Sequence, residues 1–206
     1  MDWILHLDTH LAALATNHGT LVYLALFAVI FIETGIVVLP FLPGDSLLFV
    51  AGALASQYLL SLPTLIPLLV IAAIAGDSLN YAIGAAARKR ISDSSQLHFI
   101  KPSHLARTNA FFERHGHKAI VLARFMPIVR TLAPFLAGVG SMRYRFFATY
   151  NVVGAIAWVG SLVAAGYAFG NIPAVSENLN AVLLGIIVLS LLPAIVHKIL
   201  PSKRNI

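Results

Sequence analysis

Apolar runs of hydrocarbon length constrain this chain more than any other feature. Residues 21–43, 46–60, 63–87, 119–142, 146–170 and 179–200 carry almost no charge, and a helix needs about twenty such residues to cross roughly 30 Å of hydrocarbon. Only 11% of the 206 residues are charged against 59% hydrophobic, and the mean hydropathy is +0.85, far from the balance of soluble domains. The expected fold class is an all-α integral membrane protein. No polar stretch is long enough for a separate soluble domain, so residues 1–206 are expected to form a single membrane domain.

Two of the runs are interrupted. Pro43-Gly44 breaks the region 41–60, and Pro127 and Pro134 interrupt 119–142; proline removes a helical hydrogen bond and clashes with the preceding turn. Each broken segment leaves limbs of roughly ten residues, which at 1.5 Å per residue reach about halfway across the hydrocarbon. These segments read as re-entrant hairpins, beside about four full spans. Irregular backbone at that depth must be buried in protein or line a watery cavity, because lipid offers its N–H and C=O groups no partner.

Charge placement agrees with this count. Twelve of the fourteen Lys and Arg fall within 88–118, at Arg143 and Arg145, or in the tail at Lys198, Lys203 and Arg204. Positive-inside places all three regions in the cytoplasm. Four spans and two hairpins then put both termini on that side, with 44–62 and 171–178 outside and free of Lys and Arg. Residues 1–19 contain no Lys or Arg, so no cleavable signal is expected; Trp3, Ile4, Leu7, Leu11 and Leu14 instead suit an interfacial helix. Residues 88–118 form a cytoplasmic segment in which 103–116 reads as a second amphipathic surface helix.

The hairpins look like copies. Phe41-Leu-Pro43, Asp45-Ser46-Leu47 and Phe49-Val-Ala51-Gly52 recur as Phe125-Met-Pro127, Arg130-Thr131-Leu132 and Phe135-Leu-Ala137-Gly138. A Tyr-Ala-x-Gly follows each, at 81–84 and 167–170, and the offset stays between 84 and 86 residues. The first repeat is read as 38–87 and the second as 119–170, in inverted orientation, an architecture of secondary transporters with a midplane site.

Charges inside these segments carry the chemistry. Glu33 lies in the middle of an apolar run, Asp45 at one hairpin tip, Arg124 and Arg130 in the other hairpin, and Asp77 beside Asn80 in the third run. One charge at the bilayer centre costs about 2.5 to 3.5 kcal/mol, so a set of five points to function over packing. Arginine offers a permanently charged bidentate fork suited to phosphate, and half-helix N-termini add N–H donors. Arg124 and Arg130 are therefore the candidate phosphate ligands, and Glu33 and Asp45 the candidate proton-coupling groups. Ser46, Asp77, Asn80 and Thr131 are supporting polar residues; for Asp77 a plain buried hydrogen-bonding role is an equal alternative.

At these residues the chain resembles the DedA family of bacterial inner-membrane proteins, which carry the VTT or SNARE-associated domain. The motifs are Glu33, FLPGDSLLFVAGALA (41–55), GDSLNYAIG (76–84), ARFMPIVRTLAPFLAG (123–138) and YNVVGAIAW (150–158). The resemblance implies two facing re-entrant hairpins, an inner-membrane location, dependence on the proton-motive force, and for several members recycling of undecaprenyl phosphate between leaflets. It also implies that the family's acidic pair falls on Glu33 and Asp45 and its arginine pair on Arg124 and Arg130.

The resulting expectation is a proton-coupled translocase of a lipid phosphate, undecaprenyl phosphate foremost, with protons and the membrane as its other partners and no nucleic acid. An uncoupled phospholipid scramblase is the alternative. A lipid phosphatase is a poorer fit, since His115 and His117 have no Ser-Gly-His partner motif, so no enzymatic activity is expected. Cysteine is absent and the eight histidines show no ligand spacing, so neither metal nor cofactor is expected. The Gly166–Gly170 GxxxG pattern suits either a homo-oligomer or packing within one chain, the commoner use.

Overall fold

A computed structural model describes residues 19–36, 44–93, 118–140 and 142–172. Within them the regular secondary structure is all helical: α1 (Gly19–Gly35), α2 (Gly44–Ser56), α3 (Leu62–Asp93), α4 (Lys118–Ala123), α5 (Pro127–Val139) and α6 (Tyr144–Phe169). The expected interfacial helix, the cytoplasmic amphipathic helix, the limb 37–43 of the first hairpin and the run 179–200 lie outside these residues. Among the described residues, two helices are long and apolar enough to cross a membrane, Leu62–Arg88 within α3 and Tyr144–Phe169.

The second broken segment differs from its expected form. The helix stops only between Ala123 and Pro127, and α5 continues through Pro134 to Val139. Pro127 sits in the first turn of α5, where a missing N–H costs nothing. Pro134 withholds a single donor, that for the Arg130 carbonyl, which a helix held by its neighbours tolerates. The limbs are therefore unequal, six residues in α4 and thirteen in α5, or about 9 Å and about 20 Å.

The described helices divide between two units. The first comprises residues 19–23, 44–65 and 162–172. Its centre is α2, whose residues are all buried except Asp45, as expected for a helix apolar on every side. Asp45 stands in the first turn, where a carboxylate meets the positive end of the helix dipole. At the other end the Leu59 N–H bonds the Leu54 carbonyl at 3.0 Å and the Tyr58 N–H that of Ala55 at 3.2 Å. This is the Schellman closure, with Tyr58 in the left-handed position that glycine usually takes, at φ 61°. Next to it, the Tyr23 hydroxyl accepts the Ser61 N–H at 2.6 Å.

The second unit comprises 24–36, 66–93, 118–140 and 142–161. Its apolar core gathers Ile120 and Ala123 of α4, Ala133 and Ala137 of α5 and Phe147 of α6, with Tyr81 and Tyr150 packed against them. The Tyr81 ring stacks on Phe147 at 4.7 Å between centroids, and its hydroxyl donates to the Met142 carbonyl.

Each half-length helix docks on a long helix in the same way within its own unit. In the first unit Gly52 of α2 faces the Val163 carbonyl and Tyr167 amide of α6, and Gly166 faces the Phe49 carbonyl. In the second, Gly138 of α5 faces the Tyr81 carbonyl and Ala85 amide of α3, and Gly84 faces the Phe135 carbonyl. At all four positions a Cβ would run into backbone. The docking pairs Gly84 with Gly166, one helical turn out of register with the Tyr-Ala-x-Gly match, and Gly170 rests on Ala53. Both glycines of the GxxxG pattern are thus spent on α2 of the same chain.

Backbone cannot move aside as a side-chain tip can, so Gly52→Val and Gly138→Val should each cost more than about 3 kcal/mol. Gly160→Ala, whose added methyl meets nothing within 4 Å, should be neutral or stabilising by about 1 kcal/mol. Thermal unfolding in detergent, followed by size exclusion, makes the comparison; similar losses at 138 and 160 would contradict the docking. Tyr58→Gly should raise stability by about 1 kcal/mol by relieving the left-handed backbone, and no gain would show that the turn carries no strain.

Candidate functional site

Six of the eight residues singled out from sequence meet in the second unit. Glu33 is delivered by α1, Asp77 and Asn80 by α3, Arg124 by the turn after α4, and Arg130 and Thr131 by α5. Asp45 and Ser46 belong to α2 in the first unit, where Ser46 is buried and Asp45 half-buried.

Small residues bring the supporting helices close. A Cβ on Gly76 would strike the Thr34 hydroxyl and the Phe31 carbonyl, so α3 crosses α1 backbone to backbone beside Glu33 and Asp77. Asn80, fully buried, straddles two helices: its Nδ2 donates to the Thr34 carbonyl at 3.1 Å and to the Thr131 carbonyl at 2.8 Å. Both partners are acceptors, which fixes the amide orientation. One side chain thereby ties α1, α3 and α5 together around the site.

Two ion pairs fill the centre. Arg124 donates to the Asp77 carboxylate, and Arg130 to Glu33 Oε1. The side chains of Arg124 and Asp77 are 5% and 7% exposed, those of Arg130 and Glu33 10% and 1%, so both pairs are largely removed from water. Pairing and hydrogen bonding make such burial tolerable. Arg124 has a second acceptor, Asn151 Oδ1 at 2.5 Å, and Asn151 is itself oriented by donating to the Ile74 carbonyl at 3.2 Å.

Both guanidinium groups also stand against one aromatic ring. The Arg124 and Arg130 Cζ atoms lie 5.5 Å and 5.0 Å from the centroid of Trp158, within cation–π range. Between them is a cavity lined by Thr34, Asp77, Arg124, Arg130, Thr131 and Trp158, with Ile120, Ala133 and Pro134 completing its wall. The cavity thus sets two guanidinium groups, each paired with a carboxylate, beside an apolar wall.

The FLPGDS and FMPIVR segments draw attention by their prolines and charges, whereas Asn151 and Trp158 enter the sequence reading only inside the family motif 150–158, with no role assigned. Their signal lies in spacing: Asn151, Gly154 and Trp158 fall three and four apart on α6, on one helical face. Gly154 completes that face, since a Cβ there would come to 3.3 Å from Arg124 Nε. Among the described residues no cluster of His, Cys, Asp or Glu could hold a metal ion.

Comparison with known proteins places this arrangement. The VTT domain model matches residues 42–168, which include every helix of the site except α1. Protein DedA of Escherichia coli K12 is 51% identical over 206 residues, covering 99% of this chain and 94% of that protein. The chain belongs to the DedA family. It is a membrane protein of that family, related also to the uncharacterized membrane protein ML0287 of Mycobacterium leprae, 40% identical over 84% of this chain and 77% of the relative. Inner membrane protein YghB of Escherichia coli K12 is 35% identical over 86% of the chain and 82% of its own length. No solved structure matches.

In the paired cluster described above, removing one member of a buried pair strands its partner. Arg124→Gln should cost about 3 to 5 kcal/mol, and Asp77→Asn in the same chain should return most of that loss. Unfolding of wild type, the two single variants and the double variant by denaturant in detergent measures it; a double variant as unstable as the sum of the singles would show that Asp77 and Arg124 do not form a coupled pair.

Proposed function

We propose that this chain translocates a lipid phosphate, undecaprenyl phosphate foremost, between the leaflets of the bacterial inner membrane and couples that movement to the proton gradient. The observation that carries the reading is the pair Arg124 and Arg130, held against Trp158 in one cavity with Thr34 and Thr131. A guanidinium that binds a carboxylate presents the same fork to a phosphate. The apolar wall suits a headgroup whose hydrocarbon tail stays in lipid.

In this reading α4 and α5 form a re-entrant hairpin and α2 is one limb of another, together with about four full spans in an inverted repeat. Both termini are cytoplasmic. The inner-membrane location draws on the name of the YghB relative. Arg124 and Arg130 hold the phosphate, Glu33 exchanges between Arg130 and a proton, and Asp45 supplies a further proton-responsive carboxylate from the first unit. Ser46, Asp77, Asn80 and Thr131 support the site. No covalent bond of the substrate is broken, so the reading assigns no catalysis and needs no cofactor.

Proteoliposomes holding headgroup-labelled undecaprenyl phosphate, with and without an imposed proton gradient, test the proposal. Wild-type flipping should rise with the gradient and fall at least about tenfold in Arg130→Lys, which keeps charge but loses the bidentate fork. Phospholipids should compete poorly. Flipping of all lipids regardless of the gradient would replace the coupled translocase with a scramblase, and full activity of Arg130→Lys would remove phosphate recognition from Arg130.

A further inference from the structure

The two arginines of the cavity are held in different ways. Arg130 is bound by Glu33 and leans on Trp158. Arg124 has, besides Asp77, two neutral partners and a gap that admits its stem. Asn151 accepts from its guanidinium, Trp158 lies against its face, and the backbone at Gly154 leaves room for its stem. Because Asn151 is locked by its own bond to the Ile74 carbonyl, these restraints persist whatever the charge on Asp77. Asp77 is therefore not required to place Arg124; it supplies the negative charge that balances it.

The groups facing Asp77 can be named from each helix around it. The turn after α4 presents Arg124, α5 presents Arg130, α1 presents Glu33 through its bond to Arg130, and α6 presents the uncharged Asn151 and Trp158. With both carboxylates ionised, the cluster of two arginines and two acids is neutral. A phosphate that takes the Arg124 Nη2 proton held by Asp77 displaces that carboxylate, which stays buried in the same wall. A buried carboxylate stripped of its cation is strongly disfavoured, whereas the neutral acid is not. Displacement is thus tied to uptake of one proton, the carboxylate becoming a carboxylic acid, and no bond to phosphorus is made or broken.

We infer that Asp77 is the proton-exchanging counter-ion of Arg124, and that Asn151 is the positioning residue that keeps Arg124 in the cavity while Asp77 is protonated. The inference rests on the phosphate-binding reading above and adds to it a second arginine–acid exchange alongside Glu33 and Arg130. When the phosphate departs, Asp77 releases its proton and the ion pair re-forms.

Calorimetric titration of the full chain in detergent with dodecyl phosphate tests this. Repeating the titration at pH 8 in two buffers of different ionisation heat counts the protons taken up on binding. Asp77→Asn should take up one proton fewer than wild type. Asn151→Leu should bind about tenfold or more weakly, the loss expected for a hydrogen bond to a charged group, while keeping the wild-type proton count. Should Asp77→Asn not fold, the compensated chain Asp77→Asn/Arg124→Gln serves in its place: it should still bind through Arg130, again with one proton fewer. A wild-type proton count in either Asp77 variant would overturn the inference and leave the phosphate reading standing. Failure of wild-type protein to bind dodecyl phosphate would overturn both.

Discussion

Two guanidinium groups are buried in a segment of this chain that has almost no water to offer them, and the surrounding structure answers to that constraint. Neither arginine can shed its charge, so each must be met by acceptors wherever the fold places it. Asp77 and Asn151 meet Arg124, Glu33 meets Arg130, and the Trp158 ring faces both. Helices α1 and α3 contribute one of these partners each and α6 two, so the charge requirement fixes which faces of the three helices turn inward in the second unit.

Close approach of those helices comes from small residues. In lipid there is no hydrophobic drive between helices, and association relies on packing and on polar contacts between them. Gly76 permits the crossing of α3 on α1, Gly154 leaves space for the Arg124 stem, and Gly84 and Gly138 seat α5 on α3. Asn80 then ties three helices through two backbone carbonyls. The same glycine-on-carbonyl contact seats α2 on α6 in the first unit, a structural echo of the likeness between the two hairpin sequences.

A site whose cations are already occupied by its own acids is suited to exchange more than to permanent capture. In the exchange we propose, each acid holds its arginine or yields it to an entering anion. The proposed exchange makes and breaks no covalent bond of the substrate. It does need residues that hold the arginines in place when the acids let go, and Asn151, Gly154 and Trp158 on one face of α6 meet that need for Arg124.

Much was legible in the sequence, for physical reasons. Hydrocarbon-length apolar runs dictate helices, because no other continuous segment satisfies its backbone in lipid, and charges within such runs mark the site because their cost demands a use. Glu33, Asp77, Arg124 and Arg130 could be read that way, and so could the family. The sequence could not say that Arg124 takes Asp77 while Arg130 takes Glu33, since composition puts no order on two acids and two arginines. Nor could it assign a role to Asn151 and Trp158 within the motif 150–158, because neither is charged and their use depends on which arginine packs beside them. It placed a break at Pro134 that α5 absorbs, because a proline's effect depends on whether packing can hold the helix around one lost bond. The sequence by itself determined that helices form and that buried charges must be partnered; which partner each receives was decided only by tertiary structure, because it depends on how closely the glycines let neighbouring helices approach.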